Sequence, residues 1–465
     1  MPSRSRGGVG KSWADYYCNE IFPEFTTPNS NHKSAMETKQ SNDGDRGKTE
    51  RSQKDRKRPP KNAHPLQKGI REFVTTQLPP SLLSEYGLSI DALVNSLPKR
   101  YTVYQPLLLL PANALNTPPA WGALYTALDD QQRKSLYESM AKSFRGMGVT
   151  HVAVNAPIAP TDPQGQENRI RSPVGLVPLH GDFGPPPFVD GEKVQPSETD
   201  LQSAFWVRTV QNHGIVQTWA PLYTMFSRGN ITEKARVLGQ GSVFEGLDSL
   251  SLQGDEVEDI SVVDMYAGIG YFVFSYLKRG VKRVWGWEIN GWSIEGLRRG
   301  CNENGWGCKV VKVRGDGELE STSIPELVAS LDDTVRVVIF HGDNRFSAGI
   351  LDQIRHAMKP QTWNSIRHVN LGLLPSSRPS WGNATRMIDM EKGGWIHVHE
   401  NVDAREIDQK KDEIVADIGQ LRVQQCSPQD SAEPAVECRH VERVKTYAPG
   451  VMHCVFDIRL YPRDQ

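Results

Sequence analysis

Apolar positions along this chain fall into three regimes. Residues 1–64 show no helical or strand period and are dominated by Ser, Asn, Lys and Arg. From 65 to 237, short apolar runs alternate with proline-rich loops. Thr150-His151-Val152-Ala153-Val154 reads as a strand, and residues 129–147, with Leu136, Met140 and Phe144 at four-residue spacing, read as an amphipathic helix. Residues 155–196 hold many of the 31 prolines, which forbids long helices there. The pattern predicts a smaller α+β domain over 65–237.

After a polar, acidic bridge at 249–258 the rhythm changes. A buried strand is predicted at 260–265, a helix from 271 to about 279, a strand at 281–288 and a helix at 292–304. Later strands are predicted at 335–340, 368–373 and 394–399. Strands alternating with helices at this spacing imply an α/β domain with a parallel, doubly wound sheet over 238–465.

Composition narrows this picture in three ways. With 465 residues the chain exceeds one typical core, and 38% hydrophobic content suits globular folding. No stretch approaches the roughly 18 apolar residues of a membrane span, and the first residues lack the apolar segment of a secretory leader. The six cysteines (Cys18, Cys301, Cys308, Cys426, Cys438 and Cys454) form no C-x-x-C pair. Reduced thiols in a cytosolic or nuclear setting are therefore expected, with no metal site.

The net charge of −1 hides an asymmetry: residues 1–71 carry 15 Lys/Arg against 8 Asp/Glu. The tract Arg51-Ser52-Gln53-Lys54-Asp55-Arg56-Lys57-Arg58-Pro59-Pro60-Lys61 lies inside it. Such a segment buries too little apolar area to offset its ordering entropy, so residues 1–64 read as a disordered basic tail. RNA attraction or nuclear import are its functional readings; a solvated tail is the commoner meaning of such runs.

Chemistry concentrates where the predicted first strand ends. Asp264-Met265-Tyr266-Ala267-Gly268-Ile269-Gly270 joins strand to helix, and its glycines let the backbone turn sharply and a ligand lie against it. A dinucleotide fingerprint would place a third glycine where this chain has Val273. The second strand ends in Glu288, 18 residues after Gly270, placed to accept hydrogen bonds from ribose hydroxyls. The missing glycine with that acid fits a nucleoside without pyrophosphate better than NAD. A lone Gly-x-Gly is a weak signal, and the strand, loop, helix, strand and acid in order make it strong.

The loop, together with Glu288-Ile289-Asn290, Ile294-Glu295-Gly296-Leu297-Arg298-Arg299 and Asn304-Gly305, resembles a group of tRNA-modifying enzymes. That group contains the position-37 guanine methyltransferases and the tRNA wybutosine-synthesising protein 2 family. Three further segments resemble the latter: Met225-Phe226-Ser227-Arg228-Gly229-Asn230-Ile231-Thr232-Glu233-Lys234, His368-Val369-Asn370-Leu371-Gly372-Leu373-Leu374-Pro375-Ser376-Ser377, and Gly393-Gly394-Trp395-Ile396-His397-Val398-His399-Glu400-Asn401. The match is good from residue 212 onward, loose over 65–211 and absent in the tail.

The resemblance implies a class I methyltransferase-like Rossmann domain that binds S-adenosylmethionine. It implies transfer of the 3-amino-3-carboxypropyl group, not the methyl, to carbon 7 of 4-demethylwyosine at position 37 in the anticodon loop of phenylalanine tRNA. It places cofactor contacts on Ser227, Lys234, Glu288, Asp343 and Asn344, beside Asp264, Gly268 and Gly270 of the glycine loop, which are cofactor-binding candidates on their own pattern. A cytoplasmic monomer is expected. No residue is obliged to act as a covalent nucleophile, because a sulfonium is already an excellent leaving group. Without the resemblance, Lys234 would read as an exposed helix lysine and Ser227 as a helix cap.

Two segments compete for the end of the third strand. Spacing after the second helix favours Val310-Val311-Lys312-Val313-Arg314-Gly315-Asp316; the match to Gly342-Asp343-Asn344-Arg345 favours Asp343, with residues 317–334 as an insertion. Asp343 is preferred. The fourth strand runs into Asn370-Leu371-Gly372-Leu373-Leu374-Pro375-Ser376-Ser377, without the Asn/Asp-Pro-Pro-aromatic turn common in amino-directed nucleic-acid methyltransferases; a ring-carbon acceptor has no need of it. His397 and His399 sit two apart on an apolar strand and read as core histidines, since a metal would need a third ligand. Arg228, Lys234, Arg236, Arg298 and Arg299 are candidate phosphate contacts near the pocket. The rival readings are a position-37 guanine methyltransferase and a non-catalytic RNA-binding protein with a relic pocket.

Overall fold

The computed structural model describes residues 64–462 except 91–92, 94–97, 157–160, 162–167, 169–170, 172, 174, 190–191, 194, 227–229 and 426–434. Residues 1–63 of the basic tail, and Ser227 with Arg228, therefore lie outside the described residues. The chain divides into two compact units, one of residues up to 102 with 110–146, the other of 103–109 with 147–465.

The first unit is helical in its described part. Helices span Pro65–Thr76, Pro80–Glu85, Pro119–Ala127 and Asp130–Ser143. The last starts at the capping box of Asp129 and Gln132, whose side chains exchange hydrogen bonds with each other's backbone N–H. It ends at Ser143, four residues short of the predicted 147. Gly69 lets two helices touch: a Cβ there would meet the Ser139 carbonyl at 2.7 Å, and the Ser139 hydroxyl donates to the Gly69 carbonyl at 2.8 Å.

The second unit opens with a four-stranded sheet over Thr102–Tyr104, Leu107–Leu110, His151–Val154 and Val177–His180, and a hairpin pairing Val207–Val210 with Val216–Trp219. A short helix, α1 (Ile231–Val237), precedes the large domain. There β1 (Ser261–Asp264), α2 (Val273–Lys278), β2 (Arg283–Glu288), α3 (Gly291–Asn304), β3 (Gly307–Lys312), α4 (Ile324–Ala329) and β4 (Val335–His341) follow in turn. They continue as α5 (Ser347–Ala357), β5 (Ile366–Leu371), α6 (Trp381–Met387), β6 (Gly394–Asp403), α7 (Ile407–Val423), β7 (Val436–Ala448) and β8 (Val451–Leu460).

The eight strands order as β3-β4-β2-β1-β5-β6-β8-β7. The first six are mutually parallel, β8 runs against β6, and β7 runs against β8. The doubly wound sheet of a class I methyltransferase-like fold is thus present. Successive residues explain its apolar strands: Val263, Trp285 and Phe340 pack on one face with α5, α6 and α7, while Val262, Val284 and Ile339 pack on the other with α2 and α3. Both faces are covered, so alternation disappears from the sequence.

The competition for the third strand resolves by topology. Both segments are strands, but β4 lies beside β2 and β3 is an added edge strand. Asp343 follows the inner strand, while Asp316 sits on an exposed turn beyond β3. Residues 317–334, read as an insertion, carry α4.

Candidate functional site

Parallel pairing brings the carboxyl ends of β1, β2, β4, β5 and β6 to one edge of the sheet. Gly286 is level with Asp264, Glu288 with His341, and Asn370 with both Asp264 and His397. Crevices at such edges, where strand order reverses, are where open α/β sheets bind ligands. Asp264, Gly268, Gly270, Glu288, Asp343 and Asn344 all lie along it.

The glycine loop turns through two left-handed residues, Gly268 at φ +54° and Gly270 at φ +89°. A Cβ at Gly268 would meet the Tyr271 ring at 2.9 Å, and one at Gly270 would meet the Phe274 ring at 2.6 Å. Glu288 holds the loop in place. Its Oε2 accepts the N–H of Gly268 at 2.9 Å, and its Oε1 accepts those of Ile289 and Asn290 at 2.9 and 2.8 Å. Burial pushes its carboxyl above the usual range, and these three donors pull it back.

Asp264 is fully buried. Its Oδ1 accepts the Tyr266 N–H at 3.2 Å and the Asn370 amide at 3.3 Å, while its Oδ2 has no hydrogen-bond partner among the described residues. Burial raises its carboxyl to about 7. Asn344 donates its side-chain amide to the Met265 carbonyl at 2.8 Å, tying the loop to the end of β4. Asp343 accepts the Arg345 N–H at 2.9 Å.

Lys234 departs from the exposed-lysine reading: it is 8% exposed. Its Nζ lies 4.9 Å from the centre of the Tyr271 ring and has no hydrogen-bond partner among the described residues. Burial lowers it to about 8. Beside it lies a small cavity of about 20 Å³ lined by Gln217, Lys234, Tyr271 and Ser275, among others. Gln217, 1% exposed, also has an orphaned Oε1. Sequence reasoning missed it, because only the structure shows that the strand Val216–Trp219 is wholly buried.

Three candidate phosphate contacts are otherwise engaged. Arg236 is buried and paired with Glu233 and Asp457, which removes it from any RNA surface. Arg298 and Arg299 both bind Glu295, at 2.6 and 2.7 Å. His397 and His399 lie in the core as expected, His397 against Asp457 at 2.7 Å and His399 against His453 at 3.1 Å. Among the described residues no group of three His, Cys, Asp or Glu side chains is placed to hold a metal ion, and no helix is long and apolar enough to cross a membrane.

No family model matches the chain. It is 39% identical over 362 residues to tRNA wybutosine-synthesizing protein 2 of Schizosaccharomyces pombe, covering 78% of this chain and 72% of that protein. The chain belongs to the tRNA wybutosine-synthesizing protein 2 family. Its Saccharomyces cerevisiae relative is 29% identical over 413 residues, which is 82% of this chain and 79% of that one. Among solved structures it is similar to TYW2 of Pyrococcus horikoshii in complex with MeSAdo, at 18% identity and TM-score 0.48 over 85% of this chain and 99% of that one. Membership makes the chain an enzyme of wybutosine synthesis on tRNA.

Proposed function

We propose that the chain moves the 3-amino-3-carboxypropyl group of S-adenosylmethionine to carbon 7 of 4-demethylwyosine at position 37 of phenylalanine tRNA. The carrying observation is the pair of buried, unpartnered charged atoms beside the glycine loop, Lys234 Nζ and Asp264 Oδ2. A cofactor with an amino-acid end supplies the missing partners: its carboxylate answers the lysine and its cationic groups answer the aspartate. Buried charges stay stable only when so paired.

When bound, the cofactor supplies a sulfonium whose three attached carbons are all electrophilic, so the product depends on which carbon the site lines up with the nucleophile. Lys234 and Asp264 would hold the amino-acid end, Glu288 the ribose hydroxyls, and Asp343 with Asn344 the adenine; Ser227 is the remaining proposed contact. Asn370 is committed to Asp264, and the segment after it lacks the Pro-Pro-aromatic turn that would receive an exocyclic amine. That favours a carbon acceptor over guanine methylation.

On the family resemblance, we infer that residues 65–237 contact the anticodon-loop region and that the enzyme works as a cytoplasmic monomer. Mass spectrometry of nucleosides from precursor tRNA incubated with protein and cofactor tests the reaction. The base gains the mass of an aminocarboxypropyl group on this reading and of a methyl group on the rival one.

A further inference from the structure

A second set of buried charges includes Glu233 and Arg236, on the helix that carries Lys234. Arg236 donates through Nε and Nη2 to Glu233 at 2.9 and 2.7 Å, and through Nη1 and Nη2 to Asp457 of β8 at 2.5 and 3.1 Å. Nη1 also donates to the Val243 carbonyl at 2.9 Å. From Asp457 the chain continues to His397 of β6 at 2.7 Å, to His368 of β5 at 3.0 Å and to the Gly246 carbonyl at 2.7 Å. Phe244 stacks on His397 at 4.5 Å between ring centres and lies 4.8 Å from the Arg236 guanidinium.

The direction of each proton follows from the end of the chain. A carbonyl only accepts, so His368 donates through Nε2 to Gly246. Burial holds His368 neutral, well below its ordinary value, so its Nδ1 accepts from His397 Nε2. The carboxylate of Asp457 accepts from the other ring nitrogen of His397.

Such a set is poor evidence for stability, since apolar side chains of similar volume often do as well in a core. What it supplies is geometry. α1 has seven residues, too few to hold a helix on its own. The set fastens it to three strands and to the 243–246 loop.

We propose that the Glu233–Arg236–Asp457–His397–His368 chain is a positioning device that fixes α1 so that Lys234 is presented over Tyr271 toward the cofactor's carboxylate. These are positioning residues; none is assigned contact with the cofactor. The proposal rests on the reading of Lys234 given above.

A double-mutant cycle on the full chain tests it, with S-adenosylmethionine affinity read by calorimetry and folding checked by thermal unfolding. Lys234→Ala weakens binding about tenfold or more, the scale for losing a charged hydrogen bond. Asp457→Asn and His397→Gln, two independent breaks in the chain, each weaken binding in the wild-type background and add little once Lys234 is alanine. A core defect unrelated to Lys234 would instead lower affinity by the same factor in both backgrounds, which overturns the proposal. So does wild-type affinity for both folded variants while Lys234→Ala binds weakly. Wild-type affinity for Lys234→Ala itself overturns the underlying reading of that lysine, and the positioning role falls with it.

Discussion

The carboxylate of Glu288 reaches back across the crevice to the backbone N–H of Gly268, at 2.9 Å. The residue proposed to read the ribose therefore also holds the glycine loop in place. Its second oxygen takes two more backbone N–H groups where β2 gives way to α3. Site and fold share one side chain here.

That sharing makes a definite prediction. Glu288→Ala weakens cofactor affinity by about 1–3 kcal/mol and lowers folding stability by a similar amount, because three backbone donors lose a charged acceptor. Calorimetric titration and thermal unfolding of the same sample measure both. Weakened binding with unchanged stability would mean that the Gly268 contact contributes nothing to the fold.

The two loop glycines rank in order. Both have positive φ, which costs an alanine about 1–2 kcal/mol. At Gly268 the added Cβ meets the partly exposed Tyr271 ring at 2.9 Å; at Gly270 it meets Phe274, which is wholly buried, at 2.6 Å. Gly270→Ala is expected to lower the melting temperature more than Gly268→Ala, and both reduce cofactor affinity. Equal melting temperatures would contradict the ranking.

Cofactor binding is expected to peak between about pH 7 and pH 8. In the free protein burial holds Asp264 up at about 7 and Lys234 down at about 8. A bound cation favours ionised Asp264, so binding below pH 7 releases a proton, and affinity rises with pH. A bound carboxylate favours charged Lys234, so binding above pH 8 takes up a proton, and affinity falls with pH. Titrations in buffers of different ionisation enthalpy read the sign of proton exchange directly. The same sign at pH 6 and pH 9 would refute the assignment.

At the proposed adenine end both neighbours also hold the fold. Asn344 donates to the Met265 carbonyl and Asp343 accepts the Arg345 N–H, so Asn344→Ala and Asp343→Ala each cost stability of about 1 kcal/mol as well as affinity. Thermal unfolding and calorimetric titration of the two variants side by side check both effects; a variant that loses stability with unchanged affinity has no part in the adenine contact.

The sequence made the local parts of this site legible. Strand, glycine loop, helix, strand and acid follow one another within 264–288, and each step has its own period or residue requirement. Features that depend on distant partners were hidden. Lys234 has the pattern of a surface lysine until Tyr271, 37 residues on, covers it. The Arg236–Asp457 pair spans 221 residues, so Arg236 read as a phosphate contact when it is a buried tie. The third strand was ambiguous because two adjacent segments are both strands, and only hydrogen bonding to β2 puts β4 inside and β3 at the edge. Gln217 escaped notice because burial of a polar side chain leaves no periodic trace.

Incubation of the protein with precursor tRNA and S-adenosylmethionine labelled separately in its methyl and carboxyl carbons decides between the two transfers. Aminocarboxypropyl transfer puts carboxyl label in the tRNA and none from the methyl. Methyl label in the tRNA without carboxyl label means that the chain transfers the methyl group instead.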